Sequence, residues 1–416
     1  MNDPIRLRWR KLIIGFVALL FIGIIYAWSI LNTPFKLGGA TDGTGTVTNY
    51  TQLGLNYTLT IIFFCLGSVF SGLISKQTTT ALRLVMSALL VFSSYFISSL
   101  LIVTLPVTGN HFMLYMAYGM LGGLGIGMAY NTVISTINMW FPDKRGVCSG
   151  VLLMGFGLSL LVIGKLADIM GRSEAVGWRS TYVILAIALG VVLLIAAIFI
   201  KPPPKGTVFP APKSGVYTGR TENIKDYTTL QMIRRPAFIL IFVYVTLLAT
   251  SGSAAISFAG DIITDIGATG NFAVTVVGFL GIFNGIGRLV SGWLFDSHGI
   301  RKTQLISSAV AILAPLTVVS AIAGNSVFLG VAGLCLCGFS YGFTPTTSTV
   351  FASEFYGQKN FPLNFSILVL ILIPASFAAM LAGSIKAATG SFTAAFIVLA
   401  ALSVVGFLVN LGIKKP

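Results

Sequence analysis

The sequence is divided by short polar loops into twelve long, almost uncharged runs. A helix needs about 20 apolar residues to cross a hydrocarbon core about 30 Å thick, and each run has that length. The runs are 11–31, 54–75, 84–105, 112–139, 147–170, 180–200, 236–259, 272–295, 303–323, 327–352, 361–385 and 392–413. We therefore expect an all-α integral membrane protein with twelve transmembrane helices.

The composition excludes an ordinary soluble domain, because 56% of the residues are hydrophobic and only 9% are charged. A net charge of +15 raises the question of nucleic acid. The basic residues are spread through short loops, however, and do not form a patch with aromatic residues between them. The expected partner is the lipid bilayer, with no nucleic acid.

The basic residues are distributed unequally between the two sides of the membrane. Of the 26 Lys and Arg, 20 fall on the side of the N-terminus and two lie inside helices. The other side carries only Lys36, Arg172, Arg179 and Lys386. Because cytoplasmic loops are enriched in Lys and Arg, this asymmetry predicts that both termini are cytoplasmic.

A polar segment from 201 to 235 separates two groups of six runs and opens with KPPPKGTVFPAPK. Prolines favour extended polyproline segments, so this stretch is typical of a linker. We expect an N-terminal six-helix bundle at 1–200, a cytoplasmic linker at 201–235 and a C-terminal bundle at 236–416. Residues Asp226 to Arg235 are expected to form a short interfacial helix.

The second and eighth runs share a pattern of small residues at a constant offset, which indicates an internal repeat of the two halves. The matching positions are Gly67, Ser71 and Gly72 with Gly287, Ser291 and Gly292. Glycines also recur at helical spacing in the fourth and fifth runs, where close helix packing is expected. These glycines are Gly119, Gly123, Gly127, Gly146, Gly150, Gly155 and Gly157.

Arg288 lies within the eighth run, which contains no acidic residue. It precedes Asp296 by eight residues, which places it about 12 Å inward along a helix. An arginine at such a depth costs at least about 2.5–3.5 kcal/mol, so these residues usually face a protein interior or a water-filled path. We interpret Arg288 as the binding residue for a small anion. The alternative is a structural arginine that pairs with helix-end carbonyls or with a carboxylate on another helix.

Lys165 is the other basic residue inside a run, near the outer end of the fifth helix. It precedes Asp168 by three residues, and an intrahelical ion pair is the expected role. The alternative is that Lys165 provides a second anion contact or belongs to an outer gate.

Several motifs carry a resemblance to a known family. They are IYAWS at 25–29, MWFPDKRGVCSG at 139–150, NGIGRLVSGWLFD at 284–296, DSHGIRK at 296–302 and FYGQKNFPLNFS at 355–366. Together they resemble the oxalate/formate antiporter family of the major facilitator superfamily, which is related to monocarboxylate carriers. The resemblance covers all twelve helices. It implies two pseudo-symmetric six-helix bundles that work by alternating access around a central anion site, and a bacterial inner membrane as the location.

The resemblance also implies roles for individual residues. Arg288 would bind the substrate carboxylate, and Asn284, one helical turn away, would line the same cavity. A planar guanidinium suits a carboxylate, and tyrosine hydroxyls can complete the hydrogen bonds. The aromatic walls would be Tyr26, Trp28 and Tyr130, with Tyr341 and Asn364 as further candidates. For each aromatic residue the alternative is a role in packing or at the membrane interface.

The chain departs from the family pattern in two places. Oxalate carriers of this family have a lysine in the middle of the eleventh helix, whereas residues 364–377 are uncharged here. A monocarboxylate such as formate, lactate or pyruvate is therefore favoured, with oxalate-type exchange left open. In the N-terminal half, Lys76 stands near the position where the loop signature has an aspartate.

A secondary or facilitative carrier is the function that these observations favour. Exchange or facilitated movement is at least as plausible as proton symport, because no carboxylate occupies the middle of a run. The alternatives are an anion channel and a carrier of a different solute in which Arg288 is structural. A membrane enzyme or receptor is not expected, since the sequence has no catalytic constellation or folded insert. No cofactor or metal site is expected, and the functional unit is expected to be a monomer.

Overall fold

The structure is a computed structural model that describes residues 4–37, 50–108, 111–204, 206–207, 209–210, 225–268 and 270–416. All regular structure within these ranges is helical. The helices are α1 (Pro4–Ile22), α2 (Tyr50–Leu73), α3 (Thr80–Thr108), α4 (Gly123–Asn138), α5 (Arg145–Ser159), α6 (Lys165–Arg172), α7 (Gly177–Phe199), α8 (Thr229–Ile233), α9 (Pro236–Asp265), α10 (Gly270–Ala323), α11 (Val327–Tyr356), α12 (Phe361–Val369), α13 (Leu372–Thr389) and α14 (Thr393–Leu411).

Short helical segments extend several of these helices. A 3-10 turn (Gly23–Ala27) and the turns Trp28–Leu31 and Thr33–Leu37 follow α1. A helical turn (His111–Leu114) and a π-helical stretch (Tyr115–Gly122) precede α4, and a second π-helical stretch (Leu160–Gly164) joins α5 to α6. These joined segments form the first, fourth and fifth membrane spans.

The longest helix, α10, contains two spans. Gly299 interrupts it with φ 77° and ψ 171°, a backbone conformation that side-chain-bearing residues rarely adopt. Within the described residues, eleven helices are long and apolar enough to cross a membrane, and α10 counts as one of them. Because α10 is divided into two spans at Gly299, the total is the twelve spans that the sequence predicts.

The chain forms two compact units. The first comprises Met1–Trp140 and Leu158–Thr207, and the second comprises Phe141–Gly157 and Val208–Pro416. The segment Phe141–Gly157, expected in the N-terminal bundle, thus packs with the second unit. Division of the working protein at residues 200 and 236 stays a prediction.

Glycines allow α2 and α4 to touch backbone to backbone in the first unit. A Cβ atom added at Gly67 would lie 2.2 Å from the carbonyl oxygen of Leu124, and one at Gly127 would lie 2.0 Å from that of Phe64. No side chain fits at either distance. The glycines of the fourth span therefore have the packing role expected for them.

The second unit contains an equivalent crossing of α10 and α11. A Cβ atom at Gly287 would lie 2.2 Å from the carbonyl oxygen of Phe339, and one at Gly342 would lie 2.4 Å from that of Asn284. Gly287 matches Gly67 in the repeat. Gly67 and Gly287 thus both allow a close backbone contact within their own unit, as an internal repeat predicts.

The end of the linker binds the loop between α11 and α12. The amide of Tyr227 donates to the carbonyl oxygen of Tyr356 at 3.0 Å. The carbonyl oxygen of Tyr227 accepts from Nδ2 of Asn360 at 2.9 Å and from Nδ2 of Asn364 at 3.1 Å. We call this set of contacts the linker latch. The expected short helix is present as α8, with a capping box at Thr228, and its place at the membrane interface stays a prediction. Residues 205, 208 and 211–224 of the linker lie outside the described part.

Candidate functional site

The side chain of Arg288 is buried in the second unit, with 1% of its surface exposed. Its Nε donates to Oδ1 of Asn284 at 3.1 Å, one turn earlier on α10. Its Nη1 donates to the carbonyl oxygen of Leu153 on α5 at 2.7 Å. The guanidinium thus joins α10 to α5 and is hydrogen-bonded to Asn284. The expectation that Arg288 and Asn284 line one substrate cavity stays a prediction.

A glycine on α5 makes room for the guanidinium. A Cβ atom added at Gly157 would lie 3.1 Å from Cζ of Arg288 and 3.3 Å from Nε and Nη1. Gly157 follows Leu153 by four residues and therefore lies on the same face of the helix. The arginine can reach the Leu153 carbonyl because this face carries no side chain at the next turn.

The backbone of Arg288 is fixed by neighbouring helices. Its carbonyl oxygen accepts from Oγ of Ser291 at 3.0 Å and from Oγ1 of Thr346 on α11 at 3.3 Å. On α5, a Cβ atom at Gly150 would lie 2.6 Å from the same carbonyl oxygen. Because α5 and α11 both pack against it, the position of the Arg288 main chain is well defined.

No carboxylate lies within ion-pair distance of Arg288 among the described residues. Ion pairs elsewhere in the described residues include Arg145–Glu354, Arg172–Asp168 and Lys386–Asp265. The two hydrogen-bond partners of Arg288 are neutral, and they leave most of its N–H donors available. A buried charge is costly unless it is paired, so this arrangement is suited to the reversible binding of an anion.

The start of α5 is held by polar side chains of α10 and α11. The carboxylate of Asp296 accepts from the amide of Gly146 at 2.9 Å and from the amide of Val147 at 2.7 Å. Nη1 of Arg145 lies 2.6 Å from Oε1 of Glu354. The Asp296 carboxylate caps free amides at the first turn of α5. Together with the ion pair, it fixes the helix that supplies the Leu153 carbonyl.

The other candidates from the C-terminal half are Tyr341 and Asn364, and neither belongs to the hydrogen bonds of the Arg288 guanidinium. Tyr341 is buried against Ala249 and Ala375. Oδ1 of Asn364 accepts from Oγ1 of Thr229 at 2.8 Å, and its Nδ2 belongs to the linker latch. Both ends of the Asn364 amide therefore bind the linker. The roles of Tyr341 and Asn364 as substrate contacts stay predictions.

The aromatic candidates Tyr26, Trp28 and Tyr130 belong to the first unit. Trp28 is buried, donates from its indole nitrogen to the Leu53 carbonyl oxygen at 2.9 Å, and lies 4.4 Å from Tyr118 between ring centroids. Tyr130 is buried with its ring edge-on to Phe64. Tyr26 is half-buried in the 3-10 turn. Their roles as substrate contacts stay predictions.

Lys165 is exposed at the start of α6. The expected pair with Asp168 is wrong, because the Asp168 carboxylate accepts from Nε of Arg172 at 2.7 Å. Arg172 lies four residues after Asp168 on α6, the spacing at which opposite charges meet on a helix. The structure gives Lys165 no ion pair among the described residues, and a role in anion binding stays a prediction.

The model of the Major Facilitator Superfamily matches residues 12–371 of the chain. The chain belongs to the major facilitator superfamily. It is accordingly a multi-pass membrane protein of a transporter family, and the two-bundle fold expected from the sequence is confirmed.

Relatives of this facilitator-superfamily protein support the resemblance to carboxylate carriers. The chain is 26% identical to the uncharacterised transporter YhjX of Escherichia coli K12, over 88% of this chain and 85% of that protein. It is 26% identical to the oxalate:formate antiporter of Oxalobacter formigenes, over 58% of this chain and 56% of the antiporter. It is 22% identical to human monocarboxylate transporter 12, over 82% and 67% of the two chains.

Solved structures of the superfamily share the fold. The proton:xylose symporter XylE superposes with a TM-score of 0.75 at 15% identity, covering 99% of this chain and 97% of that one. The transporter FucP superposes with a TM-score of 0.69 at 16% identity, covering 98% and 100%. At these identities the likeness concerns the fold alone.

Reasoning from the sequence of this superfamily member missed two parts of its polar interior. The Leu153 carbonyl has no side-chain signature, although the glycines of the fifth span indicate that a neighbour approaches α5. In the first unit, Asn56 is fully buried, and its side-chain amide has no hydrogen-bond partner among the described residues. An asparagine within an apolar run is the signal that could have identified it.

Proposed function

We propose that the protein carries a small organic anion across the membrane by alternating access, and that Arg288 binds the carboxylate of the substrate. The observation that supports this most directly is a buried guanidinium whose partners are both neutral. A carboxylate would supply the missing negative charge through charge-assisted hydrogen bonds. Asn284 would orient the guanidinium for it.

A monocarboxylate is the favoured substrate class. The antiporter relative is named for oxalate and formate, and the human relative for monocarboxylates. Residues 364–377, across the junction of α12 and α13, are uncharged, so no second cation is available there for a dianion. Formate, lactate and pyruvate have the single carboxylate that Arg288 alone can neutralise.

The test is uptake of labelled formate, lactate and oxalate into proteoliposomes containing the wild-type protein, Arg288→Gln or Arg288→Lys. We expect saturable uptake with the wild type, and faster uptake from vesicles preloaded with substrate. Removing one member of a buried charge pair costs about 2–5 kcal/mol, so Arg288→Gln should lower substrate affinity at least about thirtyfold. Arg288→Lys should retain part of the affinity, since it keeps the charge and loses the planar fork.

Arg179→Gln is the matched control, because it removes an exposed cation in the first turn of α7, in the first unit. It should transport as the wild type does. Unchanged uptake with Arg288→Gln, in protein that remains monodisperse, would contradict the proposed role of Arg288. Uptake that neither saturates nor responds to preloading would favour an anion channel instead.

A further inference from the structure

A cavity of about 220 Å³ lies in the second unit where α9 begins and α14 ends. Arg235 and Lys414 contribute the positive charges of its lining, and Pro236, Leu240 and Gly412 contribute apolar surface. Ala237 and Pro416 complete the lining, in which no side chain is acidic. The cavity thus offers cationic groups beside an apolar floor, and it shares no residue with the Arg288 site.

The two cations of the cavity have no acidic partner in the described part of the chain. The guanidinium of Arg235 lies 5.4 Å from the ring centroid of Tyr227, a contact with an aromatic face. Neither Arg235 nor Lys414 takes part in an ion pair among the described residues. The terminal carbonyls of α14 do not require Lys414, because Arg301 donates to those of Asn410 and Leu411 at 2.9 and 3.4 Å.

The surroundings of the cavity are those of a membrane interface. Large apolar side chains beside it are exposed: Leu230 on α8 by 59%, Ile239 on α9 by 58% and Leu411 on α14 by 42%. Basic side chains follow at the helix ends, with Arg234, Arg235 and Lys414 all exposed. The exposed surface therefore changes from apolar to positively charged at the cavity. Such a change is typical of the depth at which lipid headgroups lie.

We propose that this cavity binds the headgroup of an anionic phospholipid. The phosphate oxyanions would lie between Arg235 and Lys414, and the lipid would pack its apolar part against Pro236 and Leu240. Free phosphate has the same oxyanions and no apolar part, so the largely apolar lining favours the lipid. The excess of basic residues on this side assigns the lipid to the cytoplasmic leaflet.

The test uses the full-length protein in nanodiscs of phosphatidylcholine that contain a minor fraction of phosphatidylglycerol. Native mass spectrometry of the protein released from the discs measures how many molecules of each lipid remain bound. We expect the wild type to retain phosphatidylglycerol in preference to phosphatidylcholine. Arg235→Gln and Lys414→Gln should each reduce that preference about fivefold, the effect of one basic residue at an anionic surface.

Two controls separate a site from general surface charge. Lys302→Gln removes an exposed cation that does not line the cavity and should keep the preference. Arg235→Lys keeps the charge and should keep most of the preference for phosphatidylglycerol. If Lys302→Gln reduced this preference as much as Arg235→Gln does, or if the wild type showed no preference, the proposal would be overturned. Displacement of the lipid by millimolar inorganic phosphate would assign the cavity to a soluble anion and would also overturn it.

Discussion

At the scale of the residue, the central observation is that Arg288 is buried beside neutral partners. A structural arginine can face a carboxylate, as Arg145 faces Glu354, or helix-end carbonyls, as Arg301 faces those of Asn410 and Leu411. Arg288 instead donates to an amide oxygen and to a main-chain carbonyl in the middle of α5. Dipoles of this kind orient the guanidinium without neutralising it, which leaves its positive charge available for an anionic substrate.

Gly157→Ala should weaken substrate binding without removing the arginine. The added methyl group would lie 3.1 Å from Cζ of Arg288, so the guanidinium must move by a few tenths of an ångström. A hydrogen bond to a charged group contributes about 1.5–3 kcal/mol, and weakening the one to the Leu153 carbonyl should raise the Kd for the carboxylate up to about tenfold. Ligand-induced thermal shifts on the purified protein would measure this change.

Gly281→Ala is the control for that substitution. It lies on α10 one turn before Asn284, and a Cβ atom there would meet nothing within 4 Å. It should bind substrate as the wild type does. Equal affinity for Gly157→Ala and Gly281→Ala would mean that the contact of Arg288 with α5 does not matter for binding.

Only those parts of the candidate site that are formed by side chains could be predicted from the sequence. Arg288 and Asn284 are recognisable because they are polar residues one turn apart in an apolar run. The Leu153 carbonyl could not be predicted, because every residue has a carbonyl group and only the packing selects one. Lys165 was expected to pair with Asp168, but Arg172 lies at an equally suitable spacing and occupies that carboxylate.

At the scale of the element, the linker latch explains part of the motif FYGQKNFPLNFS. Asn360 and Asn364 both donate to the carbonyl oxygen of Tyr227. The amide of Lys359 donates to Oδ1 of Asp226 at 2.9 Å. The sequence predicted the helices on either side correctly, but the partner of Asn364 depends on a segment more than a hundred residues away. A contact so distant in the chain leaves no local pattern.

Asn360→Ala should release the end of the linker. The Tyr227 carbonyl would lose one of its two amide donors, and an impaired buried hydrogen bond costs about 1–3 kcal/mol. If the latch opens rapidly and reversibly, trypsin cleavage after the exposed Lys225 should accelerate about tenfold. Mass spectrometry of the fragments over time would follow the cleavage at this bond.

Lys359→Ala provides the comparison, because the side chain of Lys359 is exposed and its main-chain amide, which donates to Asp226, is kept. Cleavage after Lys225 should stay at the wild-type rate in this variant. If Asn360→Ala and Lys359→Ala were cleaved equally, the hydrogen bonds to Tyr227 would not be what protects the linker.

At the scale of the whole molecule, the number of spans and the orientation in the membrane come from different features of the sequence. The spans follow from the apolar runs, and even the division of α10 could be expected because the polar loop around Gly299 separates two of them. The orientation follows only from the distribution of Lys and Arg. It is therefore a prediction that needs its own measurement.

Single cysteines at the two kinds of loop would test the orientation. The four native cysteines, Cys65, Cys148, Cys335 and Cys337, are buried free thiols, so their background labelling should be low. A membrane-impermeant maleimide added to intact cells should label Arg179→Cys, because residue 179 is exposed and predicted to be outside. Lys302→Cys, exposed and predicted to be cytoplasmic, should react only after the membrane is permeabilised. Labelling in the reverse order would show that the positive charges lie on the outer side, and it would move the proposed lipid site to the other leaflet.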